Sequence, residues 1–315
     1  MIGGRQMEVL SVLVPFFLLG VVATILSKFT GITLSMFLAP AILYFGATPE
    51  ETVIFMLTFT LYTAFTMQTQ DVRLDVKHFT FFKGWWAILP VVVTLGIAFW
   101  LPILGIGLFI FYFVMELLAA MYQRIDKAHR PSPKAVGWTS FLASVTCLVG
   151  LSLVRFIPAH FYFLGVGLAI LILTAFAYYA GKHRSAFRAS WGYLWGLTGF
   201  LLGLFGIEGS DWVRGLIRSY RSPIDAMIPV AVIMASFLGT MYSFALYGNF
   251  SVPAFAAAIG AAIGIRFVGL PSYDKSGPFS ILTIGFAILA VFLLYLVSPV
   301  PTGFEHINQL FNQQI

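Results

Sequence analysis

The sequence predicts an all-α polytopic membrane protein of about ten spans, arranged as two inverted-topology repeats with broken or re-entrant helices. Three observations predict it. First, 60% of the 315 residues are hydrophobic and only 10% are charged, with a mean hydropathy of +0.94; a soluble domain carries about 25% charged residues. Second, apolar runs of bilayer-crossing length follow one another along the whole chain. Third, one glycine-containing motif occurs twice, about 175 residues apart. This composition excludes a soluble enzyme, a disordered chain and a nucleic-acid-binding domain. The excess of 18 basic over 12 acidic residues sits in short segments between apolar runs, where it reads as a topology signal. A lone cysteine, Cys147, excludes an intrachain disulfide.

The apolar runs lie near 8–28, 30–47, 51–69, 85–101, 103–122, 137–156, 159–180, 191–207, 224–247, 253–270 and 279–298. They divide into a first repeat, 1–122, a central linker with two additional spans, 123–180, and a second repeat, 181–315. No cleavable signal peptide is expected, because no small-residue cleavage site follows the first run. Ten-residue stretches of alternating polarity are absent, which excludes a transmembrane β-barrel.

Basic residues orient the chain. Arg124, Lys127, Arg130 and Lys134 fall between two spans, and Lys182, Arg184 and Arg188 fall two spans later. Arg73, Lys77 and Lys83 precede them by two spans. The positive-inside rule makes this side cytoplasmic. If 191–221 dips into the membrane and returns, Arg214, Arg218, Arg221, Arg266 and Lys275 join them, placing 15 of the 18 basic residues inside. Both termini and the acidic pair Glu50 and Glu51 then fall outside.

The repeated motif reads Gly31-Ile32-Thr33-Leu34-Ser35, then Thr48-Pro49-Glu50-Glu51, in the first copy. In the second it reads Gly206-Ile207-Glu208-Gly209-Ser210, then Ser222-Pro223-Ile224-Asp225. A hydroxyl N-cap before proline and acids suits a helix start. The charge-based topology puts Thr48 outside and Ser222 inside, so the copies are related by inversion across the membrane. Inverted repeats with paired interruptions near the midplane are the architecture of many secondary transporters. A broken helix exposes N–H groups and a positive dipole end, which an anion can satisfy. The competing explanation is close helix packing at small residues.

These residues carry a resemblance. The chain is similar to the TauE/SafE/YfcA group of membrane transporters for sulfite, organosulfonates and related sulfur anions. Each half of that family opens with a glycine-rich segment, followed by a short apolar stretch ending in proline. Gly31 to Ser35 followed by Pro40 occupies the first place, Gly206 to Ser210 the second, and Tyr247-Gly248-Asn249 resembles the turn after the second long span. Thr33, Leu34, Ser35, Glu208 and Ser210 stand where the family has glycines. The resemblance covers about 20–105 and 190–270. It implies a secondary exporter of small sulfur-containing anions in the bacterial inner membrane, without an ATP site or cofactor, and a homodimer.

Candidate substrate-binding residues follow in three sets. The breaks supply Gly31, Thr33, Ser35, Gly206, Gly209 and Ser210. The long spans carry polar stripes at helical spacing, Thr60, Thr63, Thr66 and Gln70 in one and Ser236, Thr240, Ser243 and Tyr247 in the other. Their hydroxyls suit sulfonate oxygens if they face a cavity, and otherwise bond to the preceding turn or join neighbouring helices. Charges at depth supply Lys28, as an attractor of an anion or a snorkelling span-end lysine, Arg214, as a binding residue or the ion-pair partner of Glu208 or Asp211, and Glu208, as a proton-coupling carboxylate or a permanently paired one. Glu116, late in an apolar span, is expected to be a buried structural carboxylate. No histidine pair has metal-ligand spacing within a span, so no metal is expected. A channel or a permease for another small anion or metabolite explains the stripes equally well. An intramembrane enzyme lacks the nucleophile–base pair it needs.

Overall fold

The computed structural model describes residues 2–30, 33–69, 84–124, 130, 132–182, 191–209, 227–248, 251–268, 288 and 303. These residues form helices and connections, with no strand among them. In chain order the helices are α1 (Ile2–Thr30), α2 (Leu34–Tyr44), α3 (Pro49–Thr69), α4 (Ile88–Trp100) behind a single 3-10 turn at Gly84–Ala87, α5 (Pro102–Arg124), α6 (Pro133–Val154), α7 (Ala159–Lys182), α8 (Trp191–Phe205), α9 (Met227–Tyr247) and α10 (Val252–Val268). Among the described residues, three segments are long and apolar enough to cross a membrane on their own: Ser11–Phe29, Pro133–Val154 and Ile228–Tyr247. The apolar run at 279–298 lies almost wholly outside the described residues.

Local chemistry sets the boundaries. Thr48 caps α3 through a reciprocal pair: the Glu51 N–H donates to Thr48 Oγ1 (3.2 Å) and the Thr48 N–H donates to Glu51 Oε2 (2.9 Å). Pro49 sits at the first helical position, where a missing N–H costs nothing. Ser132 caps α6 through a single bond, its Oγ accepting from the Ala135 N–H, with Pro133 at the first helical position. The run at 30–47, expected to span, instead yields the 11-residue α2, about 16 Å long and roughly half of a hydrocarbon core. Two features shorten it. Thr33 is extended (φ −60°, ψ 145°), and Gly46 adopts φ +87° and closes the helix, its N–H donating to Leu43 O and that of Ala47 to Ile42 O. The N–H of Gly303 donates to the Gly46 carbonyl (2.9 Å), so residue 303 lies at the same end of the molecule as the start of α3.

Two glycine-lined seams dominate the packing. Gly199 and Gly203 of α8 lie directly on the carbonyls of Ala143 and Cys147 of α6, and Gly150 of α6 lies on Phe200 and Leu204 of α8. Gly20 of α1 and Gly260 of α10 do the same, against Ala257 and Phe17. Small residues let helices approach to backbone contact where lipid gives no hydrophobic drive for association. Thr24 reinforces the second seam, donating to Gly20 O in its own helix and to Ala261 O across the contact.

The long helices α3 and α9 pack against each other and, together with α6, form the centre. Leu57 of α3 meets Gly239 of α9, and Leu61 and Phe65 pack into the cluster of Val230, Ile233 and Phe237. Rising numbers in α3 thus meet falling numbers in α9, so the two run antiparallel. Cys147 meets Gly239, and the Ser152 and Tyr242 hydroxyls are 3.0 Å apart, so α6 runs parallel to α9. The α4–α5 hairpin flanks this centre, with α5 against α9 through Phe111 and Phe237. Trp85 and Trp86 are exposed at one end of the α4 segment and Phe99 and Trp100 at the other, a placement suited to the two interfaces of a bilayer.

Candidate functional site

The two sequence motifs meet. Thr33 Oγ1 donates to the Glu208 carbonyl (3.4 Å), the Glu208 N–H donates to Ser35 Oγ (2.9 Å), and Ser35 Oγ donates to Thr33 Oγ1 (3.3 Å). Residues about 175 positions apart are therefore joined by a closed set of bonds. Thr33 and Ser35 are buried and Glu208 is half-buried. Both peptide groups of Glu208 that the break releases are satisfied by hydroxyls from the other motif, which is how non-helical backbone is accommodated inside an apolar protein.

Each break has its own local cause. On the first side, Thr33 stands at the N-cap of α2 but its side chain accepts from no backbone N–H of that helix, its hydroxyl being turned toward Glu208. The start of α2 is thereby left without a side-chain cap, and a helix start of this kind favours negative charge. On the second side, Gly206 ends α8 with φ +69°, its N–H donating to Leu202 O. A side chain there would be strained and would also collide with Met56 of α3. The glycine seam sets how closely α8 lies on α6, while Gly206 meets α3 at Met56. The expected break near 207 falls at this place.

Of the other candidates, Lys28 is half-buried in the last turn of α1, where its charge complements the negative end of the helix. Gly209 lies in the turn following Glu208. Gly31, Gln70, Ser210 and Arg214 lie outside the described residues, as does the second helix start at Ser222 to Asp225. Glu116 is 1% exposed in α5, four residues after the buried Tyr112.

The polar stripes divide into two kinds. Thr63, Thr66 and Ser243 donate to carbonyls of their own helices: Thr63 to Phe59 O, Thr66 to Tyr62 O and Ser243 to Thr240 O. Thr60, Ser236 and Thr240 are no more than 3% exposed, and their hydroxyls have no hydrogen-bond partner among the described residues. The hydroxyls of Ser140 and Ser144 of α6, buried at 7% and 4% exposure, likewise have no partner among the described residues. Sequence reasoning passed over this second pair because it searched within the repeats and treated 123–180 as a linker. A signal was present: Ser140, Ser144 and Cys147 recur at spacings of four and three in an apolar span, which marks one helix face.

The arrangement offers two polar features inside an apolar bundle: a hydroxyl–peptide bridge between two helix breaks, and a row of unpartnered hydroxyls where α3, α6 and α9 converge. Comparison of the chain with protein-family models, with curated proteins and with solved structures finds no match to any of them.

Proposed function

We propose that this protein is a secondary-active transporter of small sulfur-containing anions, such as sulfite or organosulfonates, and that it works as an exporter in a bacterial inner membrane. One observation carries the reading: two motifs singled out as paired binding-site interruptions are bonded to each other through Thr33, Ser35 and Glu208. Paired broken helices at a repeat interface are where secondary transporters hold their substrates. The antiparallel packing of α3 on α9, the long helices that follow the two motifs, is what two inverted copies require. The resemblance to the TauE/SafE/YfcA group supplies the substrate class. In this reading the uncapped start of α2, which Thr33 and Ser35 hold against Glu208, receives the anion, Lys28 and Arg214 draw it in, and Glu208 carries the coupling proton.

Glu208 occupies a position where a fixed negative charge would repel the substrate. Protonation removes the repulsion, so anion and proton bind together and leave together, each raising the affinity for the other by the same factor. The test is uptake of labelled sulfite and methanesulfonate into proteoliposomes with and without a pH gradient. Saturable accumulation driven by the gradient is expected in the wild type. Glu208→Gln is expected to retain anion exchange and lose gradient-driven accumulation. Uptake no faster than into protein-free vesicles overturns the transporter reading. Unsaturable flux that does not discriminate among small anions assigns the protein to the channels instead.

A further inference from the structure

The packing of three helices places three unpartnered hydroxyls at one depth. Gly239 of α9 sits against the δ carbons of Leu57 in α3 and Sγ of Cys147 in α6; an added Cβ would lie 3.0–3.2 Å from these atoms. One turn away, about 4.5 Å along each axis, stand Ser236 in α9, Thr60 in α3 and Ser144 in α6. Because α3 runs antiparallel to α9 and α6 runs parallel to it, all three steps go in the same direction. Each of the three residues lies within one residue of the middle of its helix. Ser236 is 0%, Thr60 1% and Ser144 4% exposed, and none of their hydroxyls has a partner among the described residues.

The same helices supply an internal contrast. Thr58 and Thr63 in α3, Thr139, Thr146 and Ser152 in α6 and Ser243 in α9 all turn their hydroxyls onto carbonyls three or four residues back. That bond is available to any helical serine or threonine, yet these three do not make it. A buried hydroxyl without a partner costs about 1–3 kcal/mol, and three at one crossing point make a chance arrangement a costly one. Thr240 and Ser140, also unpartnered, continue the row one turn to either side.

The chemistry narrows the occupant. The three hydroxyls offer three donors and bring no formal charge of their own. A dehydrated cation needs about six oxygens, more than this ring provides. An acceptor with three equivalent oxygens takes one donor on each, and hydrogen bonds to a charged acceptor are the stronger ones. We propose that Thr60, Ser144 and Ser236 form an occluded midplane site that holds the three-oxygen head of sulfite or of a sulfonate during its passage between the two repeats. The proposal rests on the anion-transport reading above and assigns α6, which lies outside both repeats, a direct part in binding.

The test is calorimetric titration of the purified protein in detergent with sodium sulfite and sodium methanesulfonate, against sodium chloride at equal ionic strength. Thr60→Val, Ser144→Ala and Ser236→Ala are each expected to weaken sulfite binding about tenfold or more, the loss of one hydrogen bond to a charged group. Thr58→Val, which removes a hydroxyl bonded only to its own helix, is expected to leave the affinity unchanged. If Ser144→Ala does not fold, Ser144→Cys carries the same expectation, since it keeps the size and loses the strong donor. Wild-type affinity in the three variants, in a protein that binds and transports sulfite, overturns the midplane site and leaves the transport reading standing. No binding and no uptake by the wild type overturns both. A titration that responds to sodium and not to the anion overturns the proposal in favour of a cation site.

Discussion

Against α8, helix α6 presents backbone carbonyls with the Thr146 and Leu142 side chains beside them; against α9 it presents the Cys147 thiol and the Ser152 hydroxyl, on the face that Ser140 and Ser144 share by helical spacing. On the first face, Gly150 meets Phe200 and Leu204 while Gly199 and Gly203 lie on the carbonyls of Ala143 and Cys147. On the second, Ser140 and Ser144 are buried with hydrogen-bonding capacity left over. One helix thus serves as a tight joint on one side and as a wall of polar groups on the other. The joint has no room for change, and it sets how closely α8 lies on α6. The hydroxyl face has spare donors and acceptors, the property expected of a surface that meets something besides protein.

The largest effect is expected at the joint. Gly203→Leu puts a branched side chain into the Cys147 carbonyl, and backbone cannot yield as a flexible side chain can; recovery of folded protein after solubilisation should be lost. Gly203→Ala is expected to cost about 1–3 kcal/mol through overpacking, seen as a lower melting temperature in detergent. Gly137→Ala supplies the contrast within α6. An added Cβ there meets nothing within 4 Å, so the gain in helix propensity, up to about 1 kcal/mol, is expected to raise the melting temperature slightly. Equal destabilisation at Gly137 and Gly203 would remove the distinction between a joint and an ordinary helical glycine.

The break at Gly206 comes next. Gly206→Ala meets both a left-handed backbone and Met56, so a cost of about 1–3 kcal/mol is expected from the backbone conformation, with the contact adding to it. Ser35→Ala acts on the same place from the other motif. It leaves the Glu208 N–H without its acceptor, which costs about 1–3 kcal/mol if no water replaces it. Thermal melts of the two single variants and the double variant test whether the breaks act as one unit. Coupling of about 0.5 kcal/mol or more is expected for residues sharing one network, whereas strict additivity would separate them.

How much of this was legible in the sequence depended on whether the signal was local. The start of α3 was, because Thr48, Pro49 and Glu51 each act within one turn. The two breaks were also legible, since a glycine between apolar runs and a repeated order of residues both survive in one dimension. A short helix between Ser35 and Thr48 was legible from the order of the motif, but its ends were not: the apolar run 30–47 reads through to Gly46, and the helix is cut by Thr33 in extended backbone and by Gly46 in the left-handed region. The seams and the α6 hydroxyls were not legible either. The sequence shows that Ser140 and Ser144 share a face, but which helix that face meets is decided by packing, and a buried hydroxyl and an exposed one have the same letter.

The smallest effects separate the two kinds of hydroxyl, and they carry opposite signs. Ser243 and Thr240 are one turn apart on α9, both buried. The Ser243 hydroxyl donates to the Thr240 carbonyl, which also has its helical partner, so Ser243→Ala removes a bond without stranding any group. A destabilisation below about 0.5 kcal/mol is expected, in the range of substitutions that disturb no special feature. The Thr240 hydroxyl has no partner among the described residues. Thr240→Val keeps the shape and removes a desolvated polar group, and replacing such a group with an apolar one of similar shape is neutral or stabilising. In ligand-free protein, Thr240→Val is therefore expected to raise the melting temperature while Ser243→Ala lowers it slightly. A fall with Thr240→Val as large as that with Ser35→Ala would show that this hydroxyl is already bonded, to water or to protein, and would remove Thr240 from the row of spare donors along α9.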